Sequence, residues 1–271
     1  MKRGLLLTVT LVIVAFLTIP LTGCICIPGG FPPMGPRPEV TGSQDMATWE
    51  YEFADFTNIN ASSAFTISVS QSDSYRVSIT ANENLLDYLD VRQVGKTLYI
   101  GLRRANYTNI RHEATITLPE LLRLGLSSAS KGSVSGFSSS NPLELDVSGA
   151  SFLTIEAVTA GGTECNISGA SRVSGVMDTG DCDFDLSGAS TIELEGSGSD
   201  AHIDASGASE VELADFPMNN AEVSLSGASE ATLNLSGRLD ANLSGYSHIK
   251  YLGKPTLGSI KTSGSSTVSA Q

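Results

Sequence analysis

The chain has 271 residues and a formal net charge of −13, and 6% of its residues are aromatic. An acidic excess of this size, without a stripe of Lys and Arg, argues against the basic surface that nucleic-acid binding requires, so we expect no nucleic-acid partner. The length allows one or two domains, and 27 glycines with few aromatics favour a thin repetitive fold over a compact core.

The first segment, residues 1–23, has the features of an export signal. Lys2 and Arg3 precede an apolar run from Leu5 to Leu21, and a basic start before a short apolar core is typical of secretory signals. The sequence Leu-Thr-Gly-Cys at its end resembles the bacterial lipobox, which implies cleavage after residue 23 and lipid attachment to Cys24. An uncleaved membrane anchor is the alternative, because the run is only slightly shorter than a spanning helix.

Residues 24–45 are predicted to form a tether. The stretch IPGGFPPMGPRPEVTGSQD is dense in proline and glycine, a composition that keeps a chain extended and irregular. We therefore expect a spacer between the membrane and a body that begins at Met46. With either form of anchor, this body would be exported and would face the periplasm or the cell exterior.

Residues 46–125 show a less regular extended pattern. Alternating apolar residues predict strands at WEYEF, FTISVSQ, YRVSIT, LYIGL and ATITL, and ENLLDYL predicts one short helix. The segment carries no regular turn motif, and atypical terminal units commonly cap a solenoid. We therefore predict that it forms N-terminal coils and a cap rather than an independent domain.

Residues 126–271 repeat a five-residue motif, Leu-Ser-Gly-Ala-Ser, with small variations. Apolar residues alternate on both sides of each copy, which predicts strands joined by turns. A nearly constant period is typical of stacked repeats, so the sequence predicts an all-β fold, a right-handed parallel β-helix with about 19–20 residues per coil. The copies start 18 to 21 residues apart, at Leu126, Val147, Ile167, Leu186, Ala205, Leu225, Leu243 and Thr262.

Each position of the motif has a predicted role. The glycine is expected where the backbone needs a positive φ or where two backbones approach closely. The small residue after it, usually alanine, is expected in a crowded inner corner. The two serines are expected to satisfy backbone groups of the turn with their hydroxyls.

The order of these blocks resembles the head GIN domain family. The similarity runs through the block FTNINASSAFTISVSQSDSYRVSITANENLLDYLDVRQVGKTLYIGL, then ATITLPELLRLGLSSAS, and then the repeated SGAS coils, and so covers about residues 46–271. The resemblance implies an exported β-helical surface protein of the kind called auto-transporter adhesins. It implies no particular catalytic or binding residues.

Two groups of polar residues are candidates for a ligand or cation face. Stacked carboxylates would repel each other, and a bound cation such as calcium would offset that repulsion. However, the acidic spacing matches neither the EF-hand loop nor the glycine-rich calcium repeat, and a solvated acidic face explains the same residues. We therefore predict no cofactor and leave calcium as the alternative. The first group precedes each turn motif, at Asp146, Asn166, Asp185, Asp204, Ser224 and Asn242; the second is the segment DTGDCDFD, with Asp178, Asp181, Asp183 and Asp185.

Two cysteines, Cys165 and Cys182, fall at inward positions on adjacent coils. Export permits a disulfide between them. They stand at different offsets from their turn motifs, so they are expected to lie diagonally, and a bridge requires Cα atoms within about 7 Å. A disulfide and a pair of free buried thiols both remain open.

The sequence offers no catalytic motif. His112, His202 and His248 are isolated, and the serines lack a nucleophile elbow or a partnered base. The regular coils favour a non-enzymatic module over an enzyme. We predict that this module is tethered to the membrane at the cell surface or envelope and binds glycans, other polymers or surface proteins through a repetitive face. The alternatives are a β-helical polysaccharide lyase or hydrolase, which would need converging acids and a base, and a purely structural envelope lipoprotein.

Overall fold

The backbone is almost entirely extended in the computed structural model, which describes residues 37–271. The predicted signal peptide, the lipidation site Cys24 and the first part of the predicted tether lie outside the described residues. Among residues 37–271, no helix is long and apolar enough to cross a membrane.

The regular coils are built from fourteen strands. Each coil places strands on the two sides of the turn motif, and every pairing between successive coils is parallel. The predicted parallel β-solenoid is therefore confirmed. The strands are β10 (Arg123–Leu126), β11 (Lys131–Ser135), β12 (Pro142–Val147), β13 (Phe152–Ile167), β14 (Arg172–Leu186), β15 (Thr191–Ser197), β16 (Ala201–Ala205), β17 (Glu210–Met218), β18 (Ala221–Leu225), β19 (Glu230–Leu235), β20 (Arg238–Leu243), β21 (His248–Gly253), β22 (Thr256–Thr262) and β23 (Thr267–Ala270).

The N-terminal part contains nine further strands and one short helix. All five strands predicted from alternation are present, and ENLLDYL contains a 3-10 helix, Glu83–Tyr88. The strands are β1 (Glu39–Thr41), β2 (Met46–Tyr51), β3 (Asn58–Ala61), β4 (Thr66–Gln71), β5 (Arg76–Asn82), β6 (Leu89–Val94), β7 (Thr97–Leu102), β8 (Asn106–Thr108) and β9 (His112–Leu118).

The order of the coils along the solenoid differs from their order in the chain. Strands β3 and β4 lie between β7 and β9 on one side and β10 and β11 on the other, with parallel pairing on both edges. Beyond β7 and β9 the direction changes: β6, β5 and β2 pair antiparallel. These antiparallel strands end the stack of coils, where a bare parallel edge would leave N–H and C=O groups unpaired.

The core is a continuous ladder of inward side chains. Alternate residues of each strand point inward, so equivalent residues of successive coils stack on one another. One apolar cluster extends from Phe56 in the N-terminal part to Ile249 near the other end. A ladder of mixed large and small side chains passes through the middle of this cluster, at Leu145, Cys165, Phe184, Ile203, Val223 and Ala241.

The last part of the predicted tether is ordered. Strand β1 lies within residues 24–45 and pairs parallel with β8. Its central residue, Val40, is 6% exposed and packs with Ala81 and Leu85 in a second small cluster. The composition of this segment predicts an irregular chain, because its many prolines and glycines outweigh the one apolar residue that is buried.

Candidate functional site

The turn motifs stack into a column on one edge of the solenoid, and the buried residue in each is the second serine. Its hydroxyl donates to the carbonyl oxygen of the first serine, three residues earlier, at 2.7–3.0 Å. This bond satisfies a hydroxyl that would otherwise be costly to bury. The serines, each at most 2% exposed, are Ser130, Ser151, Ser171, Ser190, Ser209, Ser229 and Ser247.

The prediction that alanine fills an inner corner is wrong. The alanine of each motif that contains one is exposed, as at Ala189 and Ala208. The N–H groups of Ala189, Ala208 and Ala228 donate to the carbonyl of the glycine in the preceding coil at 2.7–2.8 Å, whereas that of Ala129 donates to Gly149 in the following coil. The predicted role of glycine is confirmed, because φ lies between +65° and +83° in the seven copies that contain it. Successive turns from Gly169 onward are therefore bonded to one another directly, as the strands are.

A groove runs beside this column of turns. Its volume is about 640 Å³, and its walls are the polar column that precedes each motif together with the first serine of the motif. The strand register stacks the polar column directly from coil to coil, as predicted from the sequence. The groove is lined by Asp146, Asn166, Asp185, Asp204, Ser224 and Asn242, by the first serines Ser148, Ser168, Ser187, Ser206, Ser226 and Ser244, and by the residues between them, Val147, Ile167, Leu186, Ala205 and Leu225.

The contribution of these first serines is not predicted from the sequence. All serines of the motif read as turn residues, and only the structure separates the buried second serine from the first. The sequence contains one indication of this role. The first serine directly follows a strand whose outward residues line the groove, so its position in the chain places it beside them. The serine hydroxyls, together with the carboxylates and amides of the polar column, make the groove a surface of closely spaced hydrogen-bonding groups.

The N-terminal end and the middle of the polar column differ in charge. At the N-terminal end, Arg123 forms ion pairs with Glu144 at 3.1 Å and Asp146 at 2.6 Å. Asn166 donates to the Asp146 carboxylate at 3.2 Å. Further along, Asp185 stacks on Asp204 without an intervening amide. Partial burial, together with repulsion from Asp183 and Asp204, raises the pKa of the Asp185 carboxyl.

Asp185→Asn is expected to stabilise the protein at neutral pH. Because folding raises the pKa of this carboxyl, the carboxyl stabilises the folded protein while it is protonated. That contribution is complete below the unfolded-state pKa and is lost as pH rises through the folded-state pKa, where the carboxyl becomes charged. Removing the charge should therefore raise Tm at pH 7 by about 1–3 °C in low salt, and by less at pH 4. Thermal unfolding at both pH values measures this; a lower Tm at pH 7 would contradict it.

The acidic segment DTGDCDFD does not form a single site. The Ser197 hydroxyl donates to Asp178 at 2.7 Å, whereas Asp181 accepts the backbone N–H of Asp200 at 3.3 Å. Asp183 stacks between Glu164 and His202 on the strand face. Across residues 37–271, no three His, Cys, Asp or Glu side chains come together in an arrangement that could hold a metal ion. The candidate residues are thus dispersed, and only Asp185 of the segment lines the groove.

Cys165 and Cys182 are buried free thiols, so the predicted alternative of a disulfide is not what the structure contains. Their positions are diagonal, as expected: Cys165 stacks on Phe184, and Cys182 stacks on Thr163. Burial raises the pKa of both thiols, and that of Cys182 reaches about 12. Thiolate is the reactive form, so both cysteines are poor nucleophiles in the native protein.

Both thiols should therefore resist alkylation until the protein unfolds. We expect little labelling of Cys165 or Cys182 by iodoacetamide at pH 8 in native buffer, and complete labelling in guanidinium chloride. Peptide mass spectrometry locates the label on each cysteine. Rapid native labelling of either thiol, or a peptide that links the two, would contradict the burial and the free state described above.

Residues 55–255 match the protein family described as putative auto-transporter adhesin, head GIN domain. The comparison with curated proteins gave no match. The family match covers most of the solenoid and includes the groove and all but the last of the turn motifs.

Several solved structures share the fold at low identity. A putative adhesin from Parabacteroides merdae is 20% identical, with a TM-score of 0.77 over 86% of this chain and 99% of that one. A putative lipid binding protein from Parabacteroides distasonis is 21% identical, with a TM-score of 0.75 over 86% and 99%. A putative adhesin from Bacteroides fragilis is 21% identical, with a TM-score of 0.65 over 86% and 100%. At these identities the likeness establishes the fold alone.

Proposed function

Because the chain belongs to the head GIN domain family, we propose that it is a non-enzymatic adhesive module whose groove binds extended glycans. The observation that carries this proposal is the groove itself, in which the same kinds of polar side chain recur on six successive coils. A ligand that also repeats can make the same contact many times, so that individually weak contacts add up along its length.

The chemistry of the groove favours sugars without acidic groups. Carboxylates such as Asp185 and Asp204 accept hydrogen bonds from ligand hydroxyls, and the serine hydroxyls can also donate, whereas the Asn166 amide already donates to Asp146 and Glu164. Coils are spaced about 4.8 Å apart, which is close to the advance per sugar in an extended glycan. The same carboxylates repel phosphate and uronate groups, so nucleic acids and acidic polysaccharides are poor ligands.

The proposed setting is the bacterial envelope. We propose that the chain is exported, that Cys24 carries the lipid anchor, and that the Pro- and Gly-rich segment after it holds the solenoid away from the membrane. The family name supports a surface or exported location. In this setting the groove would be open to glycans of the cell's own envelope or of a neighbouring surface.

The test is binding of the full chain, in detergent, to an array of neutral and acidic glycans with and without a chelator. We expect retention of neutral polymers without any shortening of their chains. Replacing Asp185 and Asp204 with alanine should weaken binding by about tenfold or more, because each replacement removes hydrogen bonds to a charged group.

A matched control is available on the same two coils. Glu193 and Glu210 follow the turn motif, lie on the strand faces beyond the turn, and are absent from the groove lining. The double alanine variant at these positions removes the same charge and should bind within twofold of wild type, about the resolution of such a comparison. An equal loss of binding in both double variants would show that the effect comes from net charge and not from the groove. Shortened polymers would replace the adhesive assignment with an enzymatic one, and no retained glycan would overturn it.

A further inference from the structure

The polar column of the groove continues toward the capped end of the solenoid. The strand register places Gly125 beside Asp146. Beyond it, Asn60 stacks on Gly125 and Tyr99 stacks on Asn60. Arg92, directly opposite Tyr99 on the antiparallel strand β6, ends the column. Because Gly125 has no side chain, it leaves a gap in the row of polar groups, and the column has a second, shorter part on the far side of this gap.

A pocket of about 260 Å³ lies beside this second part of the column. Ser62 and Ser127 line it at the position that the first serines hold along the groove, because each directly follows a strand that carries the column. Pockets for drug-sized ligands measure about 300–1,000 Å³, so this one suits a smaller ligand. Its polar lining consists of Asn60, Ser62, Asp90, Arg92, Tyr99 and Ser127.

Four polar groups in this lining are available to a ligand. Each belongs to a half-buried residue, and none of them makes a hydrogen bond within residues 37–271. The groove differs in this respect, because the amide of Asn166 is already bonded to two carboxylates. The four groups are the amide of Asn60 and the hydroxyls of Ser62, Tyr99 and Ser127.

The two charged residues of the lining neutralise each other. Arg92 forms an ion pair with Asp90, and its guanidinium carbon also lies over the Tyr99 ring, 4.9 Å from the ring centroid. The ring therefore stands between Arg92 and Asn60, where a flat base cannot stack on it, and the hydroxyl is the part of Tyr99 that remains available. An uncharged ligand with several hydroxyls fits this set, because amide and hydroxyl groups both donate and accept hydrogen bonds.

Gly125 determines where the Asn60 amide lies. A Cβ at residue 125 would lie 2.0 Å from the Asn60 Oδ1 and 3.2 Å from its Cγ, so the amide occupies the space that a side chain would take. The φ of Gly125 is not positive. The close approach of Asn60, and not the backbone conformation, is therefore what glycine allows at this position.

We propose that this pocket is a binding site for one uncharged sugar ring, held by the Asn60 amide and by the hydroxyls of Ser62, Tyr99 and Ser127. A sugar presents hydroxyls on adjacent carbons, so one ring can bond to several of these groups at once. The gap at Gly125 separates the pocket from the groove and makes it a second site. The two sites share a ligand class, but neither needs the other to be occupied.

Fluorine NMR of the full chain in detergent, with 3-fluorotyrosine in place of its seven tyrosines, tests the proposal. The Tyr99 signal is identified by its loss in Tyr99→Phe, and the other signals report changes outside the pocket. The probes are glucose, galactose, mannose and N-acetylglucosamine, with glucuronic acid as the charged comparison. We expect at least one neutral sugar to shift the Tyr99 signal to saturation, with a Kd of about 1–10 mM for a ligand of this size.

Variants separate the pocket from the rest of the column. Asn60→Ala should raise this Kd by about tenfold, because it removes the hydrogen bonds of the amide. Gly125→Ala keeps the amide but displaces it, and should change the Kd in the same direction. Asn242→Ala removes the same side chain from the far end of the column and should leave the Kd within about twofold. Unchanged signals of the other tyrosines show that each variant is folded.

The result is independent of whether the groove retains glycans. A Tyr99 signal that no neutral sugar moves would overturn the proposal, and so would a Kd that Asn60→Ala leaves unchanged. Tighter binding of glucuronic acid than of every neutral sugar would contradict the uncharged ligand class.

Discussion

Gly207→Ala is expected to destabilise the protein by about 2–4 kcal/mol, which corresponds to a fall in Tm of about 4–16 °C for a chain of this size. Gly207 has a φ of +83°, a conformation that residues with a Cβ adopt only with strain. An added Cβ would lie 2.4 Å from the Gly188 carbonyl oxygen in the preceding coil. That oxygen accepts the Ala208 N–H at 2.7 Å, so relief of the clash would also lengthen the bond between the turns.

Ala208→Ser provides the control for this variant. Ala208 is the adjacent residue of the same turn, but it is exposed, so the change should alter the free energy of unfolding by less than about 0.5 kcal/mol. Thermal unfolding followed by circular dichroism compares the two. Equal Tm values for Gly207→Ala and wild type would show that the stacked turns can separate without cost, contrary to this account of the motif.

Phe184→Ala should lower the free energy of unfolding by about 3–5 kcal/mol and Tm by about 6–20 °C. Phe184 is fully buried and stacks between Cys165 and Ile203 in the inward ladder. Because each coil buries its side chains only against its neighbours, nothing else is available to fill the space that the ring leaves.

Phe152→Ala removes the same ring from a different environment. Phe152 is 47% exposed on the outer face of β13, so its removal should cost less than about 1 kcal/mol. Chemical denaturation with both variants compares the two sites. Similar losses at the two positions would contradict the assignment of Phe184 to the ladder that holds successive coils together.

Much of the solenoid can be predicted from residue alternation and from the turn motif. Alternation fixes which residues point inward, so the stacking of Asp185 on Asp204 and the diagonal placement of Cys165 and Cys182 follow from the sequence alone. Alternation stops at the turn, however. A small apolar alanine and a small polar serine are both plausible inside a corner, and only the bond from each second serine to the carbonyl three residues earlier decides which one is buried.

Other features depend on contacts that are distant in sequence. The insertion of β3 and β4 between β7 and β10 cannot be read from the chain, because either edge of a parallel strand can accept a neighbour. The acidic segment from Asp178 to Asp185 suggests one site, but its residues fall on different sides of a coil.

The affinity of the groove as a function of ligand length is the most direct test of recognition by successive coils. Oligomers of one to eight sugars, prepared from a polymer that the full chain retains, can be titrated calorimetrically. The six polar positions span about 24 Å. We expect affinity to rise by about tenfold or more with length until this span is covered, and then to level off. A single sugar that binds as tightly as the longest oligomer would contradict a groove that contacts its ligand on each successive coil.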